Sequence, residues 1–184
     1  MRASVFIAAS LDGFIARPDG ALDWLPGADG DGVPPSETGY NAFMASVDVV
    51  VMGRGTWDKV VEMGAWFYGT IPVRVLTSRA LEMPSHVPQT VAPLSGTPPE
   101  VVAALSREGF RHAYVDGGRT IQAFLCEGLI QRLTLTRIPV LLGEGIPLFG
   151  TLPHDIQLRH RRTQVLGDAM VQSEYDVLDA KPGA

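Results

Sequence analysis

The order of the apolar runs constrains this chain more than anything else in it. As far as about residue 131, short hydrophobic stretches alternate with helical patterns, and beyond that point only extended segments follow. Alternating β and α elements require a largely parallel sheet with helices on its faces, whereas strands that follow each other directly pair antiparallel. Ser4–Ser10 (SVFIAAS) has almost no polar residue and reads as a central strand. Val47–Met52 and Val73–Thr77 are further buried strands, with Ala113–Asp116 after them. Helices are expected over Ser36–Ser46, Thr56–Met63 and Thr120–Glu127, the last two closed by Gly64 and Gly128. Thr97-Pro98-Pro99-Glu100 has capping-box spacing with Pro at the first helical position, and Gly109 ends that helix. The late extended segments are Arg132–Leu142, Ile156–Val165 and Met170–Leu178, with Pro139 marking an edge or a bulge. The result is a mixed sheet, parallel early and antiparallel late. Residues 1–178 are expected to form one domain, with 179–184 as a short tail.

Composition excludes several classes of function. The 184 residues carry fifteen Lys and Arg against twenty Asp and Glu, a net charge of −5, which disfavours coating nucleic acid or an anionic membrane. Cys126 is the only cysteine, so no intrachain disulfide and no Cys-rich zinc site can form. The four histidines show no metalloenzyme spacing, and no metal is expected. No signal peptide and no apolar run of membrane-spanning length is visible, so a cytoplasmic protein is expected.

Three strand-to-helix junctions carry chemistry. Gly53-Arg54-Gly55-Thr56 follows a buried strand and opens a helix, where free N–H groups favour an anion and glycines let backbone approach it. Asp116-Gly117-Gly118-Arg119-Thr120 repeats the arrangement, and Thr77-Ser78-Arg79 sets two hydroxyls and a guanidinium at another strand end, a combination suited to a phosphate monoester. Each could be an ordinary turn. Three at the carboxyl ends of strands in an open α/β sheet reinforce one another, because ligands bind there. The spacing fits neither G-x-G-x-x-G nor a P-loop.

These junctions, with the opening run Ala8-Ala9-Ser10-Leu11-Asp12-Gly13-Phe14-Ile15-Ala16 and the later Leu142-Gly143-Glu144-Gly145, resemble the dihydrofolate reductase superfamily. Within it, the resemblance is closest to the C-terminal pyrimidine reductase domain of riboflavin biosynthesis and its stand-alone relatives. It implies a three-layer αβα sandwich around a mixed sheet of about eight strands, and NADPH as cofactor. It implies that Gly53, Arg54, Thr56, Gly117, Gly118, Arg119 and Thr120 hold the pyrophosphate, in many members with a cis peptide between the glycines. Thr77, Ser78 and Arg79 would read the 2′-phosphate, and Ala9 and Ile15 would lie beside the nicotinamide.

The resemblance also implies hydride transfer to a small heterocycle, with 5-amino-6-(5-phosphoribosylamino)uracil as the candidate substrate. No zinc deaminase motif accompanies it in this chain. Asp12 is the candidate catalytic acid, because the resemblance places its loop near the nicotinamide; Asp29, five positions after Trp24, sits in poor helix context and reads as a loop aspartate. Trp24, Phe43, Trp66, Phe67 and Tyr68 are candidates for a flat ring pocket, and Glu144 for a substrate contact. Trp57 reads as core, and Arg159–Arg162 as a solvated edge strand. The alternatives are a nucleotide-binding or oligomer-forming relative without turnover, and a dihydrofolate reductase. The apolar Ile138–Leu142 run offers a homodimer surface.

Overall fold

The computed structural model describes residues 1–26, 37–167 and 169–178. In chain order the elements are β1 (Arg2–Ser10), β2 (Phe14–Ala16), α1 (Tyr40–Ala45), β3 (Val49–Gly53), α2 (Arg54–Glu62), β4 (Val73–Leu76) and β5 (Val91–Leu94). They continue with α3 (Pro98–Arg107), β6 (His112–Asp116), α4 (Gly118–Cys126), β7 (Arg132–Ile138), β8 (Ile146–Pro147), β9 (Leu158–Leu166) and β10 (Met170–Val177). The main sheet has eight strands in the order β5-β4-β3-β6-β1-β7-β10-β9. It is parallel from β5 through β7 and antiparallel where β10 joins β7 and β9. β1 lies in its centre, as its lack of polar residues requires.

Strand alternation builds the three layers. In β3, Val49 and Val51 enter one core with Val101, Val102 and Leu105 of α3 and Ile121, Phe124 and Leu125 of α4. Val50 and Met52 enter the opposite core with Trp57 and Val60 of α2, and Phe43 and Met44 of α1 pack against it. All four β3 side chains are fully buried, and each such burial stabilises by about 1.5–3 kcal/mol. Trp57 is therefore a core residue, as its helical position implies. Thr97 and Glu100 form the expected capping box, the Thr97 amide donating to Glu100 Oε2 at 2.8 Å.

Several boundaries differ from expectation. α2 and α4 begin two residues early, because Gly53 and Gly117 serve as N-caps and the next residue is already helical. β7 ends at Ile138, one residue before Pro139, which has no N–H to give a ladder. Of the 138–142 run, Ile138 is buried in the core while Leu141 is 69% exposed. β5 was not anticipated; it tolerates Pro93 because it is an edge strand. Nor was the two-stranded β2–β8 sheet, which pairs segments about 130 positions apart. The tail 179–184 lies outside the described residues. The other edge, β9, is exposed and basic, and Arg161 reaches Asp176 of β10 at 2.9 Å, which protects the edge with charge.

Candidate active site

The carboxyl ends of β1, β3 and β6 open into a cleft of about 1060 Å³, bounded by the first turns of α2 and α4, by residues 15–25 and by Phe67 and Tyr68. The two helix starts are built alike and locked together. Each has glycine at its N-cap and threonine three positions on, and each glycine faces the other helix's threonine. A Cβ on Gly53 would lie 2.9 Å from Thr120 Oγ1, and one on Gly117 would overlap Thr56 Oγ1. Gly117 also has φ +89°, a conformation that side chains rarely adopt. Neither N-cap has a side-chain hydrogen bond, and neither first turn contains an acidic residue. Two sets of free N–H groups, each at the positive end of a helix dipole, therefore border one cleft.

Charged groups extend this anion-attracting corner. Arg54 Nε donates to Asp58 Oδ1 at 2.6 Å and Nη1 to the Ala80 carbonyl at 3.2 Å, tying α2 to the loop after β4. That loop holds Thr77, Ser78 and Arg79, with Thr77 Oγ1 accepting from the Arg79 amide at 3.1 Å. These three residues stand beside Arg54 but outside the cleft wall, whereas Arg119 and Thr120 belong to the wall. Ile15 does too, and its Cδ1 lies 2.8 Å from where a Cβ on Gly118 would be. The Ala9 methyl group turns into the α3/α4 core, 2% exposed, which leaves only its backbone for the expected role, and β1 contributes Phe6, Ile7 and Ala8 to the wall. Among the described residues no peptide bond is cis, so the Gly117–Gly118 bond is trans.

An ionisable group that the sequence offered only as part of a turn lies on the cleft wall at this junction. Asp116, the last residue of β6, accepts from Tyr68 Oη at 2.9 Å through Oδ2 and from the Gly117 amide at 2.8 Å through Oδ1. Removal from water raises its pKa above the ordinary carboxylate range, against these hydrogen bonds, which favour the anion. Burial, aided by the Asp116 charge, raises Tyr68, Tyr114 and Tyr40 as well, so all three stay neutral. Tyr114 Oη donates to the Phe6 carbonyl at 2.9 Å. The signal available in the sequence was an ionisable residue ending a buried strand directly before paired glycines.

Of the expected ring-pocket residues, Tyr68 and Phe67 line the cleft. Phe43 instead packs against Phe6, Tyr114 and His112 in the core side of the site. Trp66 donates to the Gly69 carbonyl at 2.8 Å and stacks edge-on to Trp57 and Tyr68, behind the wall. Trp24 and Glu144 are also off the wall, although Leu22 and Leu25 beside Trp24 are on it. Trp24 Nε1 is buried without a hydrogen-bond partner. Asp29 lies outside the described residues. Among the described residues no group of three or more His, Cys, Asp or Glu side chains could hold a metal ion.

Asp12 does not line the cleft; it fastens two loops. Its Oδ1 accepts from Ser10 Oγ at 2.6 Å and from the Leu142 amide at 3.2 Å, and its Oδ2 accepts from the Gly143 amide at 2.8 Å. The Ser10 hydrogen bond leads in lowering its pKa, so the group stays anionic and is a poor proton donor. A carboxylate whose pKa falls on folding adds stability above its ordinary value, 3.8, and loses it as pH falls through the lowered one. Asp12→Ala should therefore lower Tm at neutral pH, with the gap from the parent narrowing in melts below pH 3.8.

A parallel sheet opening between two uncapped helix starts and continued by an antiparallel edge is the dihydrofolate reductase-like fold. The dihydrofolate reductase of Enterococcus faecalis, solved with NADP(H) and RAB-propyl, superposes with a TM-score of 0.65 at 17% identity, over 96% of each chain. More specifically, the chain belongs to the RibD C-terminal domain family, whose model matches residues 4–172. A Shewanella sp. PV-4 protein provisionally assigned to riboflavin biosynthesis is 40% identical with a TM-score of 0.85, over 96% of this chain and 99% of that one. YwjB, an uncharacterized protein of Bacillus subtilis (strain 168), is 34% identical over 173 residues, 93% of this chain and 95% of its own length.

Proposed function

We propose that this protein is an NADPH-dependent reductase of a small heterocyclic compound. The observation that carries the reading is the pair of interlocked helix starts on the same cleft as the half-buried carboxyl of Asp116. The site residues suit a dinucleotide: glycines let the two helix starts approach each other closely, and the N–H groups of their first turns have no side-chain caps. The NADP(H) in the E. faecalis structure supports the same reading by analogy of fold. When bound, NADPH supplies the hydride.

The chain's own residues then bind, orient and supply the proton. Gly53, Arg54, Thr56, Gly117, Gly118, Arg119 and Thr120 would hold the pyrophosphate, which the two helix dipoles attract. Thr77, Ser78 and Arg79 would take the 2′-phosphate beside Arg54. Ile15, with β1 at Ile7 and Ala8, would limit the nicotinamide end and keep water from it. Asp116, rather than Asp12, is placed to donate the proton within the cleft, oriented by Tyr68 and with its pKa raised by burial. A raised pKa leaves more of a carboxyl protonated at any given pH, which suits a proton donor.

Titration with NADPH and with NADH tests this reading. NADPH should bind the more tightly, and Arg54→Ala should weaken it by about 1.5–3 kcal/mol, the range for a charge-assisted hydrogen bond. Binding of neither nucleotide would refute the proposal. Tight NADPH binding without oxidation across a panel of pyrimidines and pteridines would favour the alternative of a relative without turnover.

A further inference from the structure

We infer that the compound reduced in this cleft carries no phosphate, and is a neutral or cationic planar ring. This deepens the reductase reading above and rests on it. Between Arg2 and Arg54 the chain has a single basic side chain, Arg17, against Asp12, Asp19, Asp23, Asp29, Asp31, Glu37 and Asp48. Arg17 is already engaged in a fork with Asp23, at 2.7 and 2.8 Å.

Of the three cations on the described cleft wall, two are ion-paired and the third, Arg119, belongs to the proposed nucleotide site. They are Arg54, Lys59 and Arg119, and Arg54 and Arg119 stand at the two helix starts that the dinucleotide phosphates would occupy. Lys59 Nζ is held by Glu62 Oε2 at 3.0 Å. What remains of the wall is mostly apolar or acidic, Leu22, Leu25, Met63 and Phe67 with Asp19 and Glu62, beside the hydroxyls of Tyr68 and Tyr114. A phosphate monoester brings close to two negative charges at neutral pH and is normally met by an arginine fork or a helix N-terminus. Among the described residues this half of the cleft has neither to spare. An unphosphorylated ring meets Phe67 and the leucines with its faces, and its polar edge meets Asp116 and Tyr68.

The test uses full-length protein saturated with NADPH, titrated calorimetrically with ribose 5-phosphate. No binding is expected below concentrations that displace the nucleotide; binding alongside retained NADPH would reveal a second phosphate site and overturn the inference. In the matched comparison, 5-amino-6-(ribosylamino)uracil should bind NADPH-loaded protein at least tenfold tighter than its 5′-phosphate, and equal or tighter binding of the phosphate would also overturn it. If neither uracil binds, the ribose 5-phosphate titration decides. Failure of NADPH itself to bind refutes the reductase reading instead, and is seen before either titration begins.

Discussion

Gly117→Ala should cost the protein about 3 kcal/mol of stability, combining the strain of positive φ with overpacking in a site that cannot relax freely. In thermal melts this is a fall of roughly 6–12 °C for a domain of this size. The methyl group falls on Thr56, so the two helix starts must part and NADPH affinity should drop with stability. Gly55→Ala is the internal control. Nothing lies within 4 Å of the position its Cβ would take, and alanine is a better helix former than glycine by about 1 kcal/mol. That variant should melt no lower than the parent. Equal losses from both substitutions would mean that the interlock contributes nothing particular.

Asp116→Asn should abolish turnover while leaving NADPH bound. Loss of a positioned proton donor reduces rates by about 10²–10⁴-fold, readable in single-turnover hydride transfer. The fold should not suffer. Asn is isosteric: Oδ1 can still accept from the Gly117 amide, and Nδ2 can donate to Tyr68 Oη. Because the pKa of Asp116 is raised on folding, the native state keeps its proton after the unfolded chain has released one, and stability declines as pH climbs through that interval. The asparagine variant escapes this decline, so its Tm should meet or exceed that of the parent at neutral pH and above. Activity of the parent should fall as pH rises through the raised pKa of Asp116. A variant that kept full turnover would move the proton donor elsewhere.

What could be read from the sequence was local chemistry. Gly53-Arg54-Gly55-Thr56 and Gly117-Gly118-Arg119-Thr120 announce helix starts because turn geometry and capping are properties of a few consecutive residues. The sheet's change from parallel to antiparallel pairing was equally legible, since it follows from the order of elements. Side-chain destinations were harder. Phe43 and Trp66 have the composition of a ring pocket, yet whether an aromatic side chain faces a cleft or a core depends on which helix lies above it. Strand parity turns the Ala9 side chain to the core face, so only its backbone can serve the cleft. Asp12 stood next to the right loop but serves residues 142–143, a partnership no local pattern reveals.

The central place of β1 has a consequence during synthesis. It is made first, yet its hydrogen-bonding neighbours β6 and β7 end only at Asp116 and Ile138. At ordinary elongation rates its apolar strand waits about 6–26 s on the ribosome for a complete set of partners. Chaperone engagement and aggregation of incomplete chains should concentrate in that interval, and a chain released before residue 138 leaves β1 without a complete partner on one side.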